Sequence, residues 1–122
     1  MMNNFSEQFM KLFRLPLFYV PFIFSLLLNL LIWLMIILRM PVTSSWIPLH
    51  YNAHLGIDWI GPWILIFIYP GIGLLAIIVN TILIYYLSRQ EPVFLPLLSF
   101  ISLLVQLIIL TGIIVLLIKY FV

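Results

Sequence analysis

The stretch PLFYVPFIFSLLLNLLIWLMIIL, residues 16–38, contains no charged side chain and exceeds the ~20 residues that carry a helix across a bilayer. Two further stretches, residues 62–87 and 93–118, have the same character. In the whole chain 66% of residues are hydrophobic and 7% are charged, whereas soluble domains carry roughly 25% charged residues. The sequence therefore predicts an all-α integral membrane protein with three transmembrane helices.

A short amphipathic segment, residues 3–14, precedes the first of these stretches. At helical spacing its aromatic and aliphatic side chains share one face and its charged side chains the other: Phe5, Phe9, Leu12 and Phe13 against Glu7, Lys11 and Arg14. This pattern is typical of an interfacial helix that lies flat on the membrane. A frayed terminus is the alternative.

The remaining segments leave no room for a second domain, so residues 1–122 are expected to form one membrane domain. Residues 41–61 connect the first two helices. The second helix is expected to be kinked at Pro70, because proline removes one backbone hydrogen bond and crowds the carbonyl of Ile66.

The basic residues give a direction for insertion. With the amino terminus inside, Lys11, Arg14 and Arg89 lie inside, and Arg39 and Lys119 lie outside. Three against two is a positive-inside bias, which favours a cytoplasmic amino terminus and an outer 41–61 loop. The expected location is the bacterial cytoplasmic membrane.

Amides are the main polar groups within the predicted helices, because no Asp, Glu, Lys, Arg or His lies in the middle of any of the three helices. Asn29, Asn80 and Gln106 should face inward or toward a partner, since an amide facing lipid would be left without hydrogen bonds. They are interpreted as interhelical packing contacts, with a polar lining for a small ligand or ion as the alternative. Gly73, Ala76 and Asn80 form a narrow stripe that predicts a close helix-packing surface.

The 41–61 loop is rich in aromatic and hydrogen-bonding side chains, including both histidines. Six of its residues are candidates for binding a partner: His50, Tyr51, Asn52, His54, Asp58 and Trp59. A cap ordered by turns at Gly56 and Gly61 and anchored by its aromatic residues at the lipid headgroups is the structural alternative.

A metal site is a second hypothesis for this loop. His50 and His54 are four residues apart, so a helical turn would place both imidazoles on one face, with Asp58 as a third ligand. Gly56 is expected to break such a helix before Asp58. No metal or other cofactor is therefore assigned.

The run Leu49-His50-Tyr51-Asn52, followed by Gly56-Ile57-Asp58 and Gly61, resembles the loop of a family of small uncharacterised three-helix bacterial membrane proteins of the candidate-phyla type. That resemblance implies the fold and no activity. More loosely, the order of Pro48, His50, Tyr51, Asn52, Gly56 and Asp58 is similar to a domain of the immunity proteins against a sporulation-delay toxin, with one residue more between His50 and Gly56.

The sequence lacks the residues that several functional classes require. There are no cysteines, no phosphate-binding glycine loop and no pair of acids placed for hydrolysis. The five basic residues are scattered, which disfavours nucleic acid. The expected function is a non-enzymatic membrane protein that contacts the lipid bilayer and either another membrane protein or copies of itself. The alternative is a small-molecule or ion-binding protein, such as a transporter component or an immunity- or sensor-like protein.

Overall fold

Helices and one β-hairpin make up the part of the chain that the structure describes. The computed structural model describes residues 2–39, 46–52 and 54–120, without the side chains of residues 2–6, 51–52 and 120. In chain order the elements are α1 (Met2–Leu12), α2 (Pro16–Arg39), β1 (Ile47–Asn52), β2 (Gly56–Gly61), a 3-10 segment (Trp63–Phe67), α3 (Ile68–Leu87) and α4 (Phe94–Tyr120). The predictions for residues 41–45 and for the side chains of Phe5, Tyr51 and Asn52 lie outside the described residues.

Three helical stretches among the described residues are long and apolar enough to cross a membrane: Pro16–Arg39, Trp63–Leu87 and Phe94–Lys119. Their outer surfaces expose aliphatic side chains along the whole length, for example Leu27 and Ile108. Apolar surface on this scale is stable in hydrocarbon and not in water. The expectation of three membrane-length helices is confirmed, and the chain is a membrane protein.

The second of these stretches is not α-helical throughout. Residues Trp63–Phe67 form a 3-10 segment, and the α-helix begins at Ile68. Pro70 therefore lies in the first turn of α3, where a backbone N–H has no partner within the helix. The bend predicted at Pro70 stays a prediction, while the change of helix type just before it is a structural finding.

α4 packs against both α2 and α3, which touch each other less extensively. Buried side chains form two apolar clusters at opposite ends of this bundle. At the hairpin end, where β1 packs, Ile32 and Ile36 of α2 meet Ile113 and Leu116 of α4. At the opposite end, called here the turn end because it holds the α3–α4 turn, the buried cluster consists of Leu12, Phe18, Ile84 and Tyr85.

The prediction of an all-α fold is wrong between the first two long helices, where β1 and β2 form an antiparallel hairpin. Ile47 and Leu49 are buried and alternate with the more exposed Pro48 and His50, which is the two-residue period of a strand with one covered face. Gly56 opens β2 with φ +78°, a left-handed conformation that favours glycine. The turn expected at Gly56 is thus the turn of a hairpin.

α1 is attached to the turn end of the bundle. Leu12 is buried there, and the Phe9 ring lies 6.1 Å from the Tyr85 ring of α3. Phe13, in the turn that follows, makes edge-to-face contact with Phe18 of α2 at 5.2 Å. The predicted interfacial segment is therefore helical over Met2–Leu12 and uses part of its apolar face to contact protein.

Candidate functional site

The hairpin is fixed to the bundle through β1. Ile47 and Leu49 belong to the buried cluster of the hairpin end, beside Ile113 and Leu116 of α4. The Tyr69 hydroxyl donates a hydrogen bond to the Leu49 carbonyl at 2.6 Å. These contacts hold the buried face of β1 against α3 and α4.

The strand pairing is irregular where the polar side chains lie. Pro48 pairs with Ile60 and His50 with Trp59, so Leu49 is passed over on β1, and the next step passes over Asp58 on β2. Such bulges twist a strand and redirect its side chains. Because proline has no N–H to contribute to the ladder, Pro48 is a natural position for this break.

The irregular pairing brings two of the predicted site residues together. His50 Nδ1 lies 2.7 Å from Asp58 Oδ1, and the two side chains are 52% and 33% exposed. Trp59 is also exposed, and its ring lies 6.5 Å from that of Tyr69. The result is an accessible polar and aromatic surface, called here the hairpin surface, formed by His50, Asp58 and Trp59.

The metal hypothesis assumed a helical turn that carries both histidines, and the structure has no helix at these positions. His50 lies on β1 and His54 in the turn, so the two imidazoles do not share one face of a helix. His54 is exposed and has contacts of its own. Within residues 2–39, 46–52 and 54–120, no three side chains of the ligating types are grouped to hold a metal ion.

A buried amide cluster joins the three long helices halfway along the bundle. Asn29 Nδ2 of α2 donates to the Pro70 carbonyl of α3 at 2.9 Å and to Gln106 Oε1 of α4 at 3.0 Å. Gln106 Nε2 donates to the Gly73 carbonyl at 2.8 Å. Trp33 Nε1 donates to Asn29 Oδ1 at 3.0 Å, so every polar atom of the two amides has a partner.

At Gly73 the backbone of α3 lies very close to the side-chain amides of Asn29 and Gln106. A Cβ at this position would lie 2.6 Å from Gln106 Oε1 and 2.9 Å from Asn29 Nδ2. Ala76, one turn further along α3, is half-buried. The predicted stripe therefore begins at a position where a glycine is needed for the amides to reach the backbone.

Asn80 forms a separate polar contact nearer the turn end. Its Nδ2 donates to Ser102 Oγ of α4 at 2.7 Å and lies 3.4 Å from the Leu98 carbonyl. The three predicted amides thus serve two contacts: Asn29 and Gln106 meet in one, and Asn80 forms the other. Both connect α3 to α4.

Three further hydroxyl groups of the bundle donate to carbonyls of their own helices. Ser25 donates to the Pro21 carbonyl, Thr81 to that of Ile77 and Ser99 to that of Leu95, at 2.6–2.7 Å. The cavity between these side chains measures about 10 Å³, roughly the space of a single water molecule. In the described part of the chain, every buried side-chain nitrogen and oxygen has a hydrogen-bond partner. The described interior is closed and paired within itself.

A larger cavity of about 330 Å³ lies between the hairpin and α4. Leu49, His50 and Tyr69 line one side of it, and Ile109 and Gly112 lie on the α4 side. Its walls are mainly apolar, and His50 and Tyr69 are the lining residues with polar side chains. A cavity of this size and composition is within the range of small-molecule sites.

Three residues of these contacts were not predicted from sequence. Trp33 follows Asn29 by four residues, so helical spacing places it on the same face and gives a usable signal. Ser102 follows no such rule, because its partner Asn80 lies on another helix. Tyr69 bonds to a carbonyl of a strand that was not predicted, and no local pattern identifies that contact.

Comparison of the chain with models of known protein families, with curated proteins and with solved structures finds no match, so the family resemblance of the loop stays a prediction.

Proposed function

We propose that this chain is a non-enzymatic membrane protein that binds a second membrane-protein chain, either another protein or a further copy, through the hairpin surface. The observation that carries the proposal is the exposed group of His50, Asp58 and Trp59 on a hairpin whose other face is fixed to the bundle. A rigid support lowers the entropy lost on binding, and exposed aromatic side chains beside charged groups are typical of binding surfaces.

The closed interior supports a binding role over transport. The amides of Asn29 and Gln106 are engaged in hydrogen bonds that join the helices. An ion-coupled carrier places ionisable side chains along its path, and the described middle portions of the helices have none. Accessible polar groups lie at the two ends of the bundle, and those of the hairpin surface are His50 and Asp58.

A photo-crosslinking experiment tests the proposal. A photoreactive phenylalanine analogue in place of Trp59 keeps an aromatic ring at the surface, and illumination of native membranes should give one discrete protein-protein adduct. The combined H50A and D58A substitutions should reduce this adduct at least severalfold, because both polar side chains of the surface are removed. Mass spectrometry of the adduct identifies the partner or a second copy.

The same analogue at Phe100 is the matched control. Phe100 is 51% exposed on α4 and, in a bilayer, is surrounded by acyl chains. It should yield lipid adducts only. If position 59 also gave lipid adducts only, or if its protein adduct were unchanged by the H50A and D58A substitutions, the proposal would be wrong.

The cavity between the hairpin and α4 favours a second candidate function, the binding of a small lipophilic molecule. Gly112 provides a test, because no atom lies within 4 Å of a Cβ added there and a larger side chain can enter the cavity. If the cavity is a ligand site, a G112L variant should lose a molecule that co-purifies with the wild-type protein and is detected by native mass spectrometry. An unaltered mass spectrum would exclude this candidate.

A further inference from the structure

A cleft at the turn end of the bundle lies between α1 and the end of α3. Its volume is about 270 Å³, and it is lined by Gln8, Lys11, Leu12, Tyr85, Ser88 and Arg89. We refer to it as the basic cleft, since Lys11 and Arg89 are its two charged side chains. It is far from the hairpin surface, at the other end of α3.

The walls of the basic cleft are held in place by packing. Leu12 and Tyr85 are buried in the apolar cluster of the turn end, and the Phe9 ring contacts Tyr85. α1 therefore packs against α3, and Lys11 lies on a helix whose position is fixed by these contacts. A cleft built on packed elements binds with less loss of entropy than one formed by a mobile terminus.

The Arg89 guanidinium is oriented by Tyr85. Arg89 Nη2 donates to the Tyr85 hydroxyl at 2.5 Å, and the Arg89 Cζ lies 4.4 Å from the centre of the Tyr85 ring. The Tyr85 hydroxyl lies 3.4 Å from Gln8 Oε1 of α1. Only part of the guanidinium is used in this way, so its remaining N–H groups are available to an acceptor in the cleft.

The charges of the cleft have no carboxylate counter-ion in the part of the chain that the structure describes. Neither Lys11 nor Arg89 forms an ion pair with a carboxylate among the described residues. The acids nearest in sequence, Glu7 and Glu91, are exposed and do not line the cleft. Ser88 adds a hydroxyl donor, so the cleft offers two cations and further donors to an anion.

We propose that the basic cleft binds the phosphate of an anionic phospholipid headgroup. The cleft lies at the ends of membrane-length helices, where headgroups are found, and basic pockets between such helices are suited to anionic lipids. Exposed apolar side chains close by in the chain, Met10 and Leu15, provide surface for the acyl chains. A free phosphate ion would make no use of that apolar surface.

Native mass spectrometry from mild detergent tests this site with phosphatidylglycerol and phosphatidylcholine added in equal amounts. The wild-type chain should retain phosphatidylglycerol preferentially. A K11Q and R89Q double variant should bind it about thirtyfold more weakly, since each basic residue near a membrane surface contributes about 1 kcal/mol to anionic lipid binding and about 1.4 kcal/mol corresponds to a factor of ten. An equal preference for the two lipids in the wild type would overturn the proposal.

An R14Q and R39Q double variant is the matched control, because it removes the same charge from exposed positions that do not line the cleft. It should retain phosphatidylglycerol like the wild type, and an equal loss in both double variants would show unspecific attraction instead of a site. A K11R and R89K variant keeps the charges and should retain the lipid, which separates charge from folding defects. Displacement of bound lipid by inorganic phosphate alone would show a small-anion site and would contradict the lipid assignment.

Discussion

Gln106 illustrates how a single buried amide orders this bundle. Its side chain is fully buried and bonds to α2 through Asn29 and to α3 through the Gly73 carbonyl. Because lipid supplies no alternative partners, a lost bond leaves groups unpaired in an apolar medium. Q106L should therefore lower the free energy of unfolding in detergent micelles by about 1–2 kcal/mol.

The control for Q106L is T111V on the same helix. Thr111 is exposed and bonds only to the Leu107 carbonyl of its own helix, so its replacement should change the free energy of unfolding little. A double-mutant cycle with N29L measures the contact directly, with an expected coupling of about 0.6–2 kcal/mol. Additive effects of the two substitutions would contradict the role assigned to this hydrogen bond.

Two glycines of α3, two residues apart, give a matched pair of substitutions. In G73A the new methyl group would lie 2.6 Å from Gln106 Oε1, and the amide cannot move away without losing its bonds. The free energy of unfolding should fall by about 1–3 kcal/mol. In G71A nothing lies within 4 Å of the new methyl group, so stability should stay equal or rise by about 0.5–1 kcal/mol. Thermal unfolding of both variants in one detergent checks the pair, and similar melting temperatures would refute the argument.

The hairpin is the element that sequence reasoning did not predict. Ile47 and Leu49 show the two-residue period of a strand, but the run is short and contains Pro48, which counts against a strand. The bulges at Leu49 and Asp58 also shift the pairing, so His50 and Asp58 meet although their spacing suggests no such contact. Only the turn was predictable locally, because a glycine at position 56 favours a turn. The glycine does not indicate which elements the turn connects.

At this element, G56A should weaken the hairpin selectively. Gly56 has φ +78°, and no atom lies within 4 Å of an added Cβ, so the cost comes from the backbone conformation alone. That cost is about 1–2 kcal/mol for a residue other than glycine. Hydrogen exchange measured by mass spectrometry should show faster exchange in residues 47–61 of G56A and unchanged exchange in α2 and α4.

An asparagine at the same position provides the control for G56A. Asparagine tolerates the left-handed conformation better than alanine, so G56N should exchange more slowly than G56A in residues 47–61. Equal protection in G56A and in the wild-type chain would show that the hairpin does not depend on this conformation.

For the whole molecule, composition was enough to predict the three long helices, since uninterrupted apolar segments have few alternatives in a membrane. The inward direction of the amides also followed from the cost of exposing them to lipid. The pairing of Asn29 with Gln106, and of Asn80 with Ser102, depends on how the helices cross and on their relative heights. No single segment contains that information. For the same reason the sequence did not predict the basic cleft, which is formed by α1 and the distant end of α3.

Sidedness is the property of the whole molecule that a labelling experiment can test directly. The chain contains no cysteine, so single cysteines at Leu55 in the hairpin turn and at Gln90 in the α3–α4 turn are unique targets, and both positions are exposed. One membrane-length stretch, Trp63–Leu87, separates them. The excess of basic residues at the turn end predicts that Gln90 lies in the cytoplasm and Leu55 outside.

A membrane-impermeant thiol reagent applied to intact cells should therefore label the L55C variant and leave the Q90C variant unlabelled. Permeabilised cells should label both, which confirms that each cysteine is reactive. Labelling of Q90C alone in intact cells would reverse the predicted sidedness while keeping a crossing between the two positions. Labelling of both in intact cells would mean that Trp63–Leu87 does not cross the bilayer, and the arrangement of three crossing helices would have to be abandoned.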